Sequence, residues 1–376
     1  MGHGSIGPEL TLPSQEERSK HAAVGMMLAL WARLQPEAKA VISKAGNRSF
    51  GELNARSNQL ARALRARGLV EGDAVALVCR NRPEFAEVVQ ACMRAGLRYT
   101  PVNRHLTPDE VAYIAGDSGA KALIGDAQFA ELMTEAAALC PKAKVRMAIA
   151  GEIDGFESYE SALAEQDDSD IDRPSFGSRM LYTSGTTGRP KGVVRPPNYS
   201  TRLLALTEAP NYVAGKGQLN LCTGPLCHGG PLVYSLTLPL TEGVGVVPME
   251  KWNAEEALQL IEKHRVTHTH MVATMFHRML NLPDEVRGKY DLSSLRFLIH
   301  GAAPCPVHVK QAMIDWLGPV VWEYYAATEG GGGFLIGSEE WLTKPGTVGK
   351  PGPEFDNKIL DDDGNVVGVG EVGTIY

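Results

Sequence analysis

Short apolar runs alternate with amphipathic stretches along the first half of the chain. Residues 73–79 form an apolar run of buried-strand length, and a helical pattern follows it and ends at Gly96. Residues 99–102 are the next strand-like run, residues 107–110 begin another helix, and residues 121–124 are the strand after it. Strands that alternate with helices predict a parallel sheet with helices on both of its faces.

Local signals predict where these elements begin and end. Residues 1–20 lack an apolar pattern and predict a flexible tail, whereas residues 22–34 are apolar on one side and predict a single helix. Asn81 stands two residues before Pro83 and is predicted to cap the helix that follows. Residues 154–174 are polar and acidic, which predicts an exposed connection.

The alternation resumes in the second half of the chain. A helix is predicted over residues 199–209, and another begins at Asn253, which has the chemistry of a helix cap. Strand-like runs follow the same rhythm at residues 219–223, 266–272, 295–299 and 320–324. After Gly330 the sequence becomes rich in glycine, with short β-type pieces and a turn at residues 361–364 that is typical of hairpins. The last segment therefore predicts the start of a small β domain.

Composition and charge exclude several classes of protein. The chain has 37 basic and 44 acidic residues, for a formal charge of −7, which argues against a nucleic-acid-binding surface. It contains no run of 18 apolar residues and no secretory signal, so no membrane span is expected. Its 6 cysteines form no C-x-x-C pair. That usage is typical of reduced thiols in a cytoplasmic enzyme.

Residues 182–192 read YTSGTTGRPKG and carry the strongest chemical signal in the chain. Glycines allow the backbone to turn and approach a ligand closely, and free N–H groups and hydroxyls inside such a turn bind anions, most often phosphates. Lys191 adds a compact positive charge. The pattern differs from the common nucleotide loop G-x-x-x-x-G-K-[ST], and strands are predicted on both sides of it. The alternative interpretation is a solvated turn without a ligand.

Three further features follow predicted strands: His228, residues 301–304 and residues 325–329. Ligands of open α/β sheets bind outside the carboxyl ends of the strands, so we expect all three beside the glycine loop. Tyr325 offers a flat face for a base, and Glu329 offers the hard oxygen ligand that Mg²⁺ prefers.

These motifs resemble those of the acyl-adenylate-forming superfamily, and in particular of the fatty-acid-type acyl-CoA synthetases. YTSGTTGRPKG resembles the superfamily's signature loop, and YAATE, GAAP and PLCH resemble its Y-G-x-T-E, G-G-A-P and P-L-F-H motifs. The resemblance covers residues 22–376. It implies an α/β fold with two stacked αβαβα subdomains of mainly parallel sheets plus part of a small β-barrel.

The resemblance also implies an activity: a carboxylic acid, of the fatty or a related acyl type, and ATP form an acyl-AMP with release of pyrophosphate, and CoA then displaces AMP. The implied cofactors are ATP, Mg²⁺ and CoA. The implied catalytic residues are His228, Thr328 and Glu329, and the implied Mg²⁺ ligands are Thr183 and Glu329. The implied nucleotide-binding residues are Thr183, Ser184, Gly185, Thr186, Thr187, Gly188, Lys191, Gly301, Ala302, Ala303, Pro304, Glu323, Tyr324 and Tyr325.

The chain departs from the family pattern at several positions. Ala302 and Ala326 stand where relatives have glycine, and Cys227 stands where they have an aromatic residue. Tyr324 is a second, bulky tyrosine where many relatives have a small residue that borders the acyl site. We therefore expect a short or blunt acyl pocket.

We expect four segments: a tail (1–20), an N-terminal α/β subdomain (21–175), an ATP- and acyl-binding α/β subdomain (176–330) and the start of a small β subdomain (331–376). In the family a mobile C-terminal domain follows and carries a lysine that stabilises the transition state. We expect this chain to be the large N-terminal portion of such an enzyme, with little activity alone.

Other interpretations stay open at this stage. The acceptor thiol could belong to a carrier protein rather than CoA, or the chain could bind nucleotides without catalysis. A homodimer is left open. A metal site at His264, His268 and His270 is disfavoured because no carboxylate or cysteine nearby completes a ligand set. An esterase is disfavoured because the chain has no G-x-S-x-G elbow.

Overall fold

A computed structural model describes residues 10–183, 188–195, 211–328, 332–352 and 355–376. Its internal contacts divide the chain into two units, Met1–Glu250 and Lys251–Tyr376. The boundary between these two units differs from the boundaries of the four segments predicted from the sequence. Those segment boundaries remain a prediction. No helix in the described ranges is both long enough and apolar enough to cross a bilayer.

The described helices and strands are numbered here in chain order. The helices are Gln15–Ala23 (α1), Met27–Leu34 (α2), Phe50–Ala66 (α3), Pro83–Ala95 (α4), Pro108–Asp117 (α5), Ala130–Leu139 (α6), Tyr159–Ala164 (α7), Gly229–Leu232 (α8), Leu238–Thr241 (α9), Ala254–His264 (α10), Ala273–Leu280 (α11), Asp284–Arg287 (α12), Val307–Leu317 (α13) and Ser338–Thr343 (α14). The strands are Lys39–Ser43 (β1), Gly46–Ser49 (β2), Ala74–Val78 (β3), Arg98–Pro101 (β4), Ala120–Asp126 (β5), Val145–Ile149 (β6), Glu157–Ser158 (β7), Ser178–Thr183 (β8), Lys191–Arg195 (β9), Leu219–Cys222 (β10), Gly245–Pro248 (β11), His268–Met271 (β12), Phe297–His300 (β13), Val321–Ala326 (β14), Gly332–Gly337 (β15), Lys350–Pro351 (β16), Ile359–Leu360 (β17) and Thr374–Ile375 (β18).

A seven-stranded sheet forms the centre of the first unit. Its strand order is β7-β6-β5-β3-β4-β8-β9, and every pair is parallel except the hairpin β8–β9. All five residues of β3 are buried, because helices cover both faces of this central strand. The predicted parallel α/β architecture is confirmed here.

A second group of strands in the first unit has the order β10-β11-β1-β2. The pairs β10–β11 and β1–β11 are parallel, whereas β1 and β2 form an antiparallel hairpin. Val41 of β1 is paired with Val246 of β11, so this group joins the beginning of the unit to its end.

The second unit has five strands in the order β16-β15-β14-β13-β12. Strands β12, β13 and β14 are parallel, and β15 and β16 continue the group in antiparallel pairs. Strands β17 and β18 form a separate antiparallel pair on either side of the predicted turn at residues 361–364. The second alternating unit and the late β pieces were predicted, but helix α14 among those pieces was not.

The amino-terminal region and one helix start differ from the prediction. Helix α1 begins inside the predicted tail, where the Ser14 hydroxyl accepts a hydrogen bond from the N–H of Glu17. The single helix predicted over residues 22–34 is two helices, because Gly25 breaks it with φ of 71°. Asn81 does not cap α4, which begins after Arg82 without a side-chain cap.

The Asn81 side chain instead bridges to a distant segment of the same unit. Its amide nitrogen donates to the carbonyl oxygens of Gly224 (2.8 Å) and Met249 (3.0 Å), and its oxygen accepts from the N–H of Leu226 (3.0 Å). The side chain is buried, so these bonds satisfy polar groups that have no access to water.

The acidic stretch at residues 154–174 is more structured than predicted. It contains β7 and α7, and Tyr159 of α7 is buried with its hydroxyl donating to Glu87. Side chains of α3 bind the backbone of the rest: Asn58 donates to the carbonyl of Asp168 and Arg62 to that of Ser169. The helix predicted at residues 199–209 lies outside the described residues.

Candidate active site

The glycine-rich motif lies on the hairpin of β8 and β9. Thr183 and Lys191 face each other as the last pair of the hairpin, so they mark the two ends of the predicted phosphate loop. Lys191 is exposed and Thr183 is half-buried. Gly188 has φ of 116°, a backbone conformation that other residues rarely adopt. Ser184, Gly185, Thr186 and Thr187 lie outside the described residues.

His228 lies between β10 and α8 in the same unit as the hairpin. Its backbone is extended, and it directly precedes Gly229, where an added Cβ would lie 3.3 Å from the Leu181 side chain of β8. The structure therefore brings His228 close to the strand that leads into the glycine loop. Desolvation lowers the pKa of the His228 ring below its ordinary value, so the ring is neutral at pH 7.

The segment after His228 contains an irregular helix. Between α8 and α9, residues Val233–Thr237 form a π-helical turn. Pro239 explains it, because proline lacks an N–H and its ring crowds the carbonyl one turn earlier, so the helix widens before it. The neighbouring Cys227 thiol has its pKa raised to about 11 by burial, so it is protonated at neutral pH and is a poor nucleophile.

In the second unit, residues 301–304 connect β13 to α13. A Cβ added at Gly301 would lie 2.5 Å from the Tyr324 ring, so only glycine allows this ring to lie against the backbone. Ala302 has φ of 66°, in the left-handed region. This costs an alanine about 1 kcal/mol or more, a strain that the glycine of the family pattern would avoid. Ala303 and Pro304 are exposed.

The predicted adenine-binding tyrosine, Tyr325, is at the end of β14 in the second unit. Its side chain is 48% exposed, and its ring makes an edge contact with Phe334, with 5.8 Å between ring centres. The edge contact holds the ring while much of its surface remains accessible for stacking. Thr328 is half-buried two residues beyond the strand, and Glu329 lies outside the described residues.

Tyr324 makes a polar contact that the sequence did not predict. Its hydroxyl lies 3.1 Å from Nε2 of His270, which is on β12 of the same unit. Burial raises the pKa of Tyr324 to about 12 and lowers that of His270 to about 3, so both groups are neutral at pH 7. Gly301 and His270 thus both contact the hydroxyl end of the phenol ring.

A buried charge pair lies beside Tyr324 in the second unit. The ammonium of Lys310 is 2.6 Å from Oε2 of Glu323 and 4.8 Å from the centre of the Trp341 ring. Burial lowers the pKa of Lys310, and Glu323 opposes that shift. His300, paired with Glu323 across β13 and β14, is fully buried with Nε2 3.6 Å from the same carboxylate. Thus Lys310 already engages one carboxylate oxygen of Glu323, and the predicted nucleotide contact of Glu323 stays a prediction.

The histidines considered for a metal site have other contacts. Nδ1 of His268 is 2.7 Å from the Thr267 hydroxyl, and His270 contacts Tyr324. Within the described ranges, no three histidine, cysteine or acidic side chains are grouped closely enough to hold a metal ion.

The predicted site residues are thus grouped separately in each unit. The first unit brings together Thr183, Gly188, Lys191 and His228, and the second brings together residues 301–304 with Tyr324 and Tyr325. Their predicted convergence around one ligand stays a prediction. No sequence signal pointed to Lys310, because its pairing with Glu323 depends on how α13 packs against β14.

A glycine-rich hairpin, a strand-end histidine and a strand-end tyrosine on parallel α/β sheets are the features that carry the resemblance to the adenylate-forming superfamily. The profile of one family, AMP-binding enzyme, matches residues 28–376. The chain belongs to this family.

Curated relatives include ligases with two kinds of acceptor. The chain is 28% identical over 352 residues to a fatty acid–[acyl-carrier-protein] ligase of Streptomyces coeruleorubidus, covering 92% of this chain and 66% of the relative. It is 30% identical over 349 residues to a feruloyl-CoA synthase of Amycolatopsis, covering 92% and 67%. The chain therefore spans about two thirds of the length of these relatives.

Solved structures share the fold. The inhibitor-bound N-terminal domain of FACL13 from Mycobacterium tuberculosis is 25% identical, with a TM-score of 0.80 over 92% of this chain and 86% of that domain. The anthranilate CoA ligase AuaEII in complex with anthranoyl-AMP has a TM-score of 0.82 at 21% identity, covering 94% of this chain and 68% of that protein. The predicted fold class is confirmed by these similarities.

Proposed function

We propose that this chain is the nucleotide- and acid-binding part of an enzyme that activates a carboxylic acid with ATP. A carboxylate oxygen of the acid attacks the α-phosphorus of ATP, and the bond from that phosphorus to the pyrophosphate oxygen breaks. Acyl-AMP and pyrophosphate result. A thiol then attacks the acyl carbonyl and AMP leaves. The observation that carries this proposal is the glycine-rich hairpin loop between Thr183 and Lys191 in a chain of the AMP-binding family.

The residues of the chain would act by positioning and charge neutralisation rather than by covalent catalysis. Lys191 is exposed at the end of the loop, where its charge can meet the β- and γ-phosphates. Tyr325 has the accessible ring that stacking on adenine requires. His228, kept neutral by its lowered pKa, can donate a hydrogen bond to the acid without adding a charge.

The two residues implied as metal ligands are oxygen donors, the kind that Mg²⁺ prefers. Thr183 supplies a half-buried hydroxyl at a strand end, and Glu329 would supply one carboxylate. A set this small suits Mg²⁺, which keeps several waters and shares substrate phosphates, rather than a metal that needs a full protein cage. When bound, Mg²⁺ would neutralise phosphate charge.

The acid is proposed to be short, branched or otherwise blunt, because Gly301 and His270 hold the hydroxyl end of the bulky Tyr324 ring. For the acceptor we propose CoA, with a carrier protein as the second candidate because one relative is named as a ligase of that kind. All 6 cysteines are free thiols, which supports a cytoplasmic location in our proposal.

The test is a screen of carboxylic acids for pyrophosphate release with Mg·ATP, using the complete protein that contains this sequence. We expect release that depends on the acid, and CoA consumption in a second assay. CoA-independent adenylation followed by transfer to a carrier protein would favour the second acceptor. Binding of Mg·ATP without release for any acid would instead support a nucleotide-binding module without catalysis.

A further inference from the structure

The hairpin that carries the glycine loop lies at an edge of the seven-stranded sheet. Its outer strand, β9, is hydrogen-bonded to β8 on one side only among the described strands. Strands with a neighbour on one side open more readily than central strands such as β3. Contacts from outside the sheet would therefore help to hold this strand and Lys191, the end of the loop that it carries.

One face of helix α5 supplies such contacts. The Tyr182 hydroxyl donates to Oδ2 of Asp117 at 2.6 Å, and the Tyr113 hydroxyl donates to the carbonyl of Pro190 at 3.3 Å. Tyr113 and Asp117 are four residues apart on α5, so their side chains lie on the same face of the helix. This face thus contacts the residue before Thr183 and the residue before Lys191.

Two packing contacts add to these hydrogen bonds of Tyr113 and Asp117. The guanidinium of Arg189 lies 5.0 Å from the centre of the Tyr113 ring, in the range of a cation–π contact. Tyr182 is paired with Gly192 across the hairpin, and a Cβ added at Gly192 would lie 3.0 Å from the Tyr182 ring. The ring therefore extends over the opposite strand before its hydroxyl meets Asp117.

We propose that Tyr113 and Asp117 of α5 are positioning residues that hold both ends of the phosphate loop, through Tyr182 on one side and Pro190 on the other. This inference rests on the proposed function, because it assumes that the loop contacts the β- and γ-phosphates of ATP. It predicts that weakening the contacts of Tyr113 and Asp117 weakens binding of those phosphates and leaves binding of the rest of the nucleotide unchanged.

The test compares the affinities for Mg·ATP and for AMP by calorimetry in Tyr182→Phe, Asp117→Ala and Asp117→Asn. AMP lacks the β- and γ-phosphates, so it reports on the remainder of the site. In Tyr182→Phe and Asp117→Ala we expect affinity for Mg·ATP to fall about tenfold, the size of one lost charge-assisted hydrogen bond, with AMP affinity within about twofold of wild type. Asp117→Asn keeps an acceptor oxygen, so its loss should be smaller than that of Asp117→Ala.

The control is Tyr290→Phe, which removes a similar bond, from the Tyr290 hydroxyl to Glu255 at 2.7 Å, in the second unit. It should change neither affinity. Equal losses for Mg·ATP and AMP in the α5 variants would indicate general destabilisation and overturn the proposal, as would an unchanged affinity for both nucleotides. If Asp117→Ala does not fold, Tyr182→Phe, which deletes one oxygen atom, carries the test. Failure of the wild-type protein to bind either nucleotide would overturn the proposed function itself.

Discussion

Acidification should destabilise the protein through two histidines buried in the second unit. His270 and His300 are 1% and 0% exposed, and burial lowers the pKa of each ring from 6.5 to about 3. In the unfolded chain both would titrate near their ordinary value. Between the two values the unfolded state binds protons that the folded state does not. Stability is therefore fully retained above pH 6.5 and is lost progressively as the pH falls below it.

The magnitude follows from the pKa difference. Between about pH 7.5 and about pH 5, each buried histidine should lower the free energy of unfolding by about 2 kcal/mol. The variant His300→Phe removes the contribution of one of these two histidines. Its ring can keep the edge contact that His300 makes with Phe276, where the ring centres are 5.0 Å apart. Lys310 and Glu323 remain in place beside it. Over the same pH interval, the free energy of unfolding of this variant should fall by about 2 kcal/mol less than that of the wild type.

Urea unfolding at the two pH values measures this difference, and comparing the losses removes any constant effect of the substitution on stability. The matched control is His308→Asn, because the side chain of His308 is exposed on α13. The control should lose as much stability as the wild type. If His300→Phe also loses as much as the wild type, His300 accepts a proton in the folded state, and the reasoning from its burial is refuted.

Four further substitutions test the proposed site. Lys191→Ala and Thr186→Val should each weaken binding of Mg·ATP without changing the melting temperature, and unchanged affinity in calorimetry would remove both residues from the phosphate site. Glu329→Gln should reduce metal-dependent ATP binding, and excess Mg²⁺ should partly restore it; an equal loss with and without Mg²⁺ would indicate a packing role. Tyr324→Gly should shift the preference measured by pyrophosphate release towards longer acids, and a wild-type preference for long straight chains would contradict the blunt-pocket interpretation.

The sequence predicted those parts of the fold that local patterns determine. The buried strand β3, the cap of α10 at Asn253 and the two strands that flank the glycine-rich loop all follow from periodicity and end signals within about ten residues.

Contacts between distant segments could not be predicted in this way. Asn81 has the residue type and position of a helix cap. Its side chain instead donates hydrogen bonds to the buried carbonyls of Gly224 and Met249, which belong to a distant segment. The acidic stretch after residue 154 has the composition of a loop, yet Tyr159 is buried because α3 packs beside it. Such outcomes depend on which groups the completed fold brings together.

The pairing of β1 with β11 has a consequence for synthesis on the ribosome. Val41 pairs with Val246, which is synthesised about 200 residues later. At ordinary elongation rates, roughly 10 to 40 s pass between the synthesis of the two residues. The hydrogen bonds of Asn81 to Gly224 and Met249 likewise cannot form until those residues have been synthesised. Until then, the edge of β1 that pairs with β11 and the polar groups of Asn81 lack their native partners in the nascent chain. Molecular chaperones that bind unpaired, extended segments should therefore associate with nascent chains during this interval and be released once β11 has emerged.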